Sequence, residues 1–156
     1  MSKSHQYAMR LVWTGNRGEG TSTYRAYDRS YTVSINNKAD LQGSADPMFR
    51  GDAAKHNPEE LLVAALSSCH LLSYLHLCAV NDIVVINYED DARGTMTEDA
   101  VRGGFFTEVM LNITVTITDI LKKEKAIELH HDANNLCFIA NSVNFPVKHN
   151  VTILSK

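Results

Sequence analysis

Three cysteines, Cys69, Cys78 and Cys137, are the residues of this chain best suited to covalent chemistry. A thiolate is a strong nucleophile, and a pair of thiols can cycle through a disulfide. Cys69 and Cys78 share one uninterrupted helical run, where nine steps of about 100° point them to opposite sides, so they cannot form one site on a straight helix. Cys78 lies beside Leu77 and close to Val80 and reads as a small apolar filler. Cys137 sits in the Asn-rich segment 134–142, a composition that favours turns and helix starts. A thiol at a helix start is in a setting that supports thiolate character or disulfide exchange. Spacing alone does not couple Cys69 to Cys137.

Other reactive types carry less. His130 and His131 are adjacent and face about 100° apart on a helix, poor metal geometry, and no HExxH or CxxC accompanies them. No zinc is expected, and no cofactor. His70 adjoins Cys69, but neighbours on a helix do not face each other, so packing at a subunit interface is its expected role, with tuning of the local field the alternative. Three glycines in 14–20 are not followed by GK[ST], which favours a hairpin turn over a phosphate cradle.

The element that must position Cys69 is a helix. Asn57 suits the N-cap, Pro58 the first helical position and Glu60 the capping-box place, while Glu59 and Glu60 together suit the positive end of the dipole. The run then continues without a breaker to Asn81-Asp82, about six turns, with apolar residues on every face. That pattern predicts a helix buried all round rather than a surface one, and Ser, His and Cys within it argue against a membrane span.

Around it, the alternation of Tyr7 to Trp13, of 31–35 and above all of Phe105 to Thr118 reads as strands. Thr21 to Tyr27 can supply a return strand, 83–91 another, and Val147 to Leu154 the last. Asn36 to His56 reads as a long loop, Arg93 to Gly104 as a polar hairpin tip, and 119–135 as a second helix followed by a short helical turn near Cys137. The order β-β-β-α-β-β-α-β predicts an α+β fold, mainly antiparallel, in a single domain over 1–156. Net charge of -3 gives no pull towards nucleic acid or anionic lipid. The first residues lack the apolar core of a signal peptide, so a cytoplasmic address with reduced cysteines is expected.

Asn57-Pro58-Glu59-Glu60-Leu61-Leu62, followed by Ser67-Ser68-Cys69-His70, resembles the signature of the OsmC/Ohr superfamily of thiol peroxidases. Cys137-Phe138-Ile139-Ala140-Asn141-Ser142 resembles that family's second-cysteine segment, and the hairpin at Trp13-Thr14-Gly15, Phe49-Arg50-Gly51-Asp52 and the final strand fall in the expected order. The resemblance implies an OsmC-like fold, an intertwined homodimer, and a two-cysteine reduction of organic hydroperoxides to alcohols without metal or flavin. Cys69 matches the peroxidatic cysteine and Cys137 the resolving one. Such a thiol in an apolar helix needs a cation beside it, and an arginine suits best. Arg50 resembles the OsmC-type position and Arg17 the position of the Ohr branch; Arg50 is preferred and both remain candidates. Glu59 matches the glutamate that orients the arginine. Ten residues separate Glu59 from Cys69, about 15 Å along a helix, so the arginine and Glu59 are expected from the second subunit. A dithiol, in the Ohr branch a lipoylated protein, would reopen the disulfide. A non-catalytic dimer that binds a small apolar ligand or senses thiol oxidation is the rival reading.

Overall fold

In a computed structural model of the chain, residues 3–156 are described, and they divide into two compact units, the first ending at Leu61 and the second beginning at Leu62. The first unit is a three-stranded antiparallel sheet in the order β1 (Arg10–Trp13), β2 (Tyr31–Ser34), β3 (Leu41–Gly43). The expected return strand at Thr21–Tyr27 is absent. Asn16 Oδ1 instead accepts the N–H groups of Gly18 and Gly20, and the segment is a bent loop with only an isolated bridge between Asn16 and Tyr27. Local side-chain acceptors have displaced a ladder. The first strand begins at Arg10 rather than Tyr7, and β2 takes the place of the return strand. Nor is 36–56 a structureless loop, since it holds β3 and a 3-10 turn at Pro47–Phe49.

Helix α1 (Pro58–Val80) starts where the capping signals put it. Asn57 Oδ1 accepts the Glu60 N–H at 2.8 Å, and Glu60 Oε2 accepts the Asn57 N–H at 3.2 Å, the reciprocal pair of a capping box. Its fully buried residues are Leu66, His70, Tyr74 and Cys78, one stripe at four-residue spacing. The expectation of all-round burial is therefore corrected: Leu72 is 68% exposed, and Leu75 and Val80 also face outward. The reason is that one stripe meets the core of β6 and the second helix, and the chain offers no second layer for the other faces. By length and composition alone α1 could also cross a membrane, contrary to expectation, although its packed stripe is that of a core helix.

The second unit carries β4 (Val85–Asp90), β5 (Arg93–Asp99), β6 (Gly103–Ile117), α2 (Lys123–Leu136) and β7 (Val147–Ser155). Along β6, Val109, Leu111, Ile113, Val115 and Ile117 are buried on one face, the alternation anticipated for this strand. β4 pairs antiparallel with 113–117 of β6 and β5 with 103–110, so the two run in line as one arm of a long hairpin. The arm breaks at Asp91-Ala92, where Asp90 Oδ1 accepts the Asn112 N–H at 2.8 Å. What was expected to be a polar hairpin tip is thus largely strand. β7 pairs parallel with β6 over 109–117, which α2 makes possible as the crossover. The fold is α+β with mixed strand directions.

Candidate functional site: a thiol pair between two helices

Cys69 lies on α1, partly exposed, and Cys137 caps the end of α2, 1% exposed. Helix α2 is amphipathic: Ala126, Leu129, His130 and Ala133 are buried at helical spacing, and Cys137 continues that face one turn on. The Cys137 N–H bonds the Asn134 carbonyl, which ends the helix with an extended residue. The two side chains lie near one another: the Cys69 thiol is close enough to raise that of Cys137, and both are free thiols.

The electrostatics of Cys137 differ from those expected. It sits at a helix end, not a helix start, and the 3-10 turn at Ala140–Ser142 follows it. Burial, with the Cys69 thiol beside it, pushes the Cys137 thiol up to about 11, despite N–H groups of Ala140 and Ile139 directed at its sulfur. Desolvation outweighs those two donors. Cys78 is buried against Tyr74 in the core, pushed up by burial, the filler role read from its neighbours.

The remaining candidates lie in the first unit. Arg50 ends the 3-10 turn with φ 65°, a left-handed conformation that side chains rarely hold. Asp46 imposes it, accepting the Met48 N–H at 2.7 Å through Oδ1 and the Gly51 N–H at 3.0 Å through its carbonyl. The Arg50 guanidinium lies 5.7 Å from the Tyr24 ring centre and lines a polar recess of about 350 Å³ with Arg29, Lys55, Asp28 and Asp52. Arg17 is otherwise occupied. It donates to the carbonyls of Arg25 and Ala26 and faces Asp28 at 3.8 Å, so it closes the loop that carries it. Glu59, half-buried in the first turn of α1, forms no ion pair among the described residues.

One group of residues near the thiols went unread in the sequence. His70, His130 and His149 converge beside Tyr74, with His70 and His130 respectively 1% and 0% exposed. His70 is therefore core of its own chain and not a residue left open for a subunit interface. The signal was available: Leu66-His70-Tyr74-Cys78 is a single stripe of α1, and His149 falls on the inward phase of β7, opposite Leu111. Among the described residues no group of three or more His, Cys, Asp or Glu is arranged to hold a metal ion.

A family model described as OsmC-like protein matches residues 51–152. Among solved structures, an OsmC-like protein of unknown function from Vibrio cholerae is 29% identical, with a TM-score of 0.85 over 96% of this chain and 100% of that one. An organic hydroperoxide resistance protein from Elizabethkingia anophelis, crystallised with thiocyanate bound, is 18% identical, with a TM-score of 0.68 over 99% and 100% of the two chains. The organic hydroperoxide resistance protein OsmC of Legionella pneumophila is 14% identical, with a TM-score of 0.67 over 98% and 99%. At those identities the last two show a shared fold. No curated protein matches the sequence. A model match across most of the chain, both cysteine segments included, places the protein in the OsmC-like family.

Proposed function

We propose that this OsmC-like protein is a cysteine-based peroxidase that reduces organic hydroperoxides to alcohols. The observation that carries the reading is that the free thiols of Cys69 and Cys137 lie near enough for one to act on the other. In the cycle, the Cys69 thiolate attacks the hydroperoxide and the O–O bond breaks. The alkoxide leaves with a proton as the alcohol, and Cys69 becomes a sulfenic acid. Cys137 gives up its proton and attacks the Cys69 sulfur as thiolate, hydroxide leaves and takes up that proton as water, and a Cys69–Cys137 disulfide forms. A dithiol, of which a lipoylated protein is one, returns both thiols by exchange and is itself oxidised to a disulfide.

Arg50 is the cation we assign to this site in preference to Arg17, because Arg17 already serves the carbonyls of its own loop. Glu59 orients the arginine, and both come from a second copy of the chain in a homodimer. The exposed apolar residues Leu72, Leu75 and Val80 of α1 support such a dimer, since they have no cover in one chain. Exposed Leu136 and Phe138, flanking Cys137, favour an alkyl peroxide over hydrogen peroxide. A cytoplasmic location accords with three cysteines kept as thiols.

The raised Cys137 thiol favours a second reading, in which Cys69 oxidation outlives the encounter and the dimer senses oxidation or holds a small apolar ligand. Mass spectrometry after one equivalent of an alkyl hydroperoxide separates the two. Loss of two hydrogens mapped to a Cys69–Cys137 link, reversed by a dithiol, supports the peroxidase. Cys69 oxidised with Cys137 free supports the sensor. Cys69→Ser abolishes turnover in the first case and leaves ligand affinity intact in the second.

A further inference from the structure

The contact between His70 and His130 is unusual for a protein core. His70 Nε2 and His130 Nδ1 are 3.0 Å apart, the ring planes differ by 7°, and the ring centres are 5.3 Å apart. That separation equals the nitrogen–nitrogen distance plus the two ring radii, so the rings lie edge to edge with the bridge on the line between them. This is a straight N–H···N hydrogen bond. It is not a vacant metal site: an ion on that line needs roughly 4 Å between the nitrogens. The outer nitrogens, His70 Nδ1 and His130 Nε2, are buried with no hydrogen-bond partner among the described residues.

Every element packed on the pair presents neutral or basic groups. From α1 comes Tyr74, whose ring stacks on His130 at 3.7 Å, with Cys78 behind it; from β4 comes Tyr88, against Tyr74. From β7 comes His149, within 6.0 Å of both rings, and His131 of α2 acts on His149 in turn. Among the described residues no carboxylate acts on either ring. Burial, with the neighbouring histidines, holds His70 down to about 4 and His130 to about 3. In the neutral pair one outer nitrogen is bare, a proton added there finds no acceptor, and a second proton, added at the bridge, would set N–H against N–H.

The pair also sits where it can act on the thiols. His70 is the residue after Cys69 on α1. His130 precedes Cys137 by seven residues, about two turns, on the same face of α2. We propose that the His70–His130 hydrogen bond is an acid-sensitive lock, which holds α1 and α2 in the register that sets Cys69 beside Cys137 and opens when both rings are protonated. In this role His70 and His130 are positioning residues. The lock needs only that the two thiols lie near one another and stands whether or not they turn over peroxide.

Nitrogen-15 NMR of the full-length reduced protein tests the resting state: at neutral pH one bridge nitrogen is protonated and its partner bare. On titration the first proton goes on near pH 4 and leaves the bridge intact, the second follows with a midpoint near pH 3, and amide exchange in 69–72 and 134–138 rises at that second midpoint. The thiol readout uses 2,2'-dipyridyl disulfide, which oxidises thiols in acid and leaves as pyridinethione. At each pH the share of protein closed to the internal Cys69–Cys137 disulfide is measured against that stopped at a Cys69 mixed disulfide. The double variant His70→Leu, His130→Phe keeps a ring on Tyr74 and has no proton to gain. At pH 7 it should close within threefold of the wild type, and between pH 7 and pH 3 the wild-type rate relative to the variant should fall to about half. Two protonated bridge nitrogens at neutral pH would overturn the proposal. So would amide protection that persists through the second midpoint, or the same acid dependence in both proteins. The NMR and exchange readouts use the wild type alone and decide the matter even if the variant does not fold.

Discussion

Gly51→Ala is a sharp test of how the arginine loop is built. The Gly51 backbone is pressed against the carbonyl of Ala45, and an added Cβ would overlap that carbonyl far inside the 3.0 Å that real Cβ atoms keep. The overlap is with backbone, so no side chain can swing aside. Retreat must break the Gly51 N–H bond to the Asp46 carbonyl, 3.0 Å, and strain the Asp52 N–H bond to Ser44 Oγ, 3.1 Å. Losing one such bond costs about 1 kcal/mol and overpacking about 1–3 kcal/mol, so a loss of about 2–4 kcal/mol is expected. Against a total stability of about 5–15 kcal/mol, urea unfolding should resolve that as a lower midpoint with an unchanged slope. Turnover of an alkyl hydroperoxide, assayed where the variant is still folded, should fall by about 10²-fold, because an ångström-scale displacement moves the Arg50 guanidinium. A variant as stable as the wild type, within 0.5 kcal/mol of it by the order-of-magnitude scatter of surface changes, would show that the loop is not fixed by this contact.

Arg50→Asn should separate stability from activity in the opposite sense: asparagine tolerates the left-handed conformation, so the unfolding midpoint stays level or rises while peroxidase turnover drops. Stability should depend steeply on acid. Both buried imidazoles lie below their ordinary 6.5, so the unfolded chain takes up protons that the fold refuses. Stability is then full above pH 6.5 and is lost as pH falls towards the folded values, about 3–4 kcal/mol by pH 5 for the two together. Urea midpoints level between pH 7 and pH 5 would contradict it. Leu66→Ala, at a fully buried position of the α1 stripe, should cost about 2–5 kcal/mol by the same measurement without altering the Cys69–Cys137 link in the oxidised protein.

The parts of the fold that could be read from the sequence are those where one physical requirement dominates. β6 must bury one face, and its alternation showed it; α1 must satisfy its first N–H groups, and Asn57 and Glu60 announced where it starts. The parts that escaped are those where the requirement leaves no mark on polarity. β5 is exposed along its whole length, so it carries no apolar alternation and looked like a turn. The 14–28 loop is closed by Asn16 and Arg17 bonding to backbone, a solution that propensity does not foresee. The parallel pairing of β7 was legible in principle, since a strand, a helix and a strand in succession form a crossover. Of the candidate site, the two cysteines could be named by resemblance, but their nearness depends on where α2 ends, and the Asn-rich segment looked as much like a start as an end.

Helix α1 combines two demands that rarely coincide, and the combination explains its odd composition. A soluble core helix needs one apolar stripe, yet the buried stripe of α1 contains His70 and Tyr74 while the fully apolar Leu72, Leu75 and Val80 are exposed. Two buried ring nitrogens without partners cost roughly 1–3 kcal/mol each, a penalty that leucine at the same positions would avoid. Packing alone therefore favours the opposite arrangement, with the histidines outside and the leucines in. The arrangement observed is reasonable only if the histidines do something inside and the leucines meet something outside. The first condition points to the lock on the thiols, the second to the dimer in which a partner would bring Arg50 and Glu59. Both follow from the same misplaced polarity, and they can fail separately. Sedimentation of the protein carrying Leu72→Glu should show a shift towards monomer with the histidine titration unchanged, whereas His70→Leu with His130→Phe should change the titration and leave the oligomer intact.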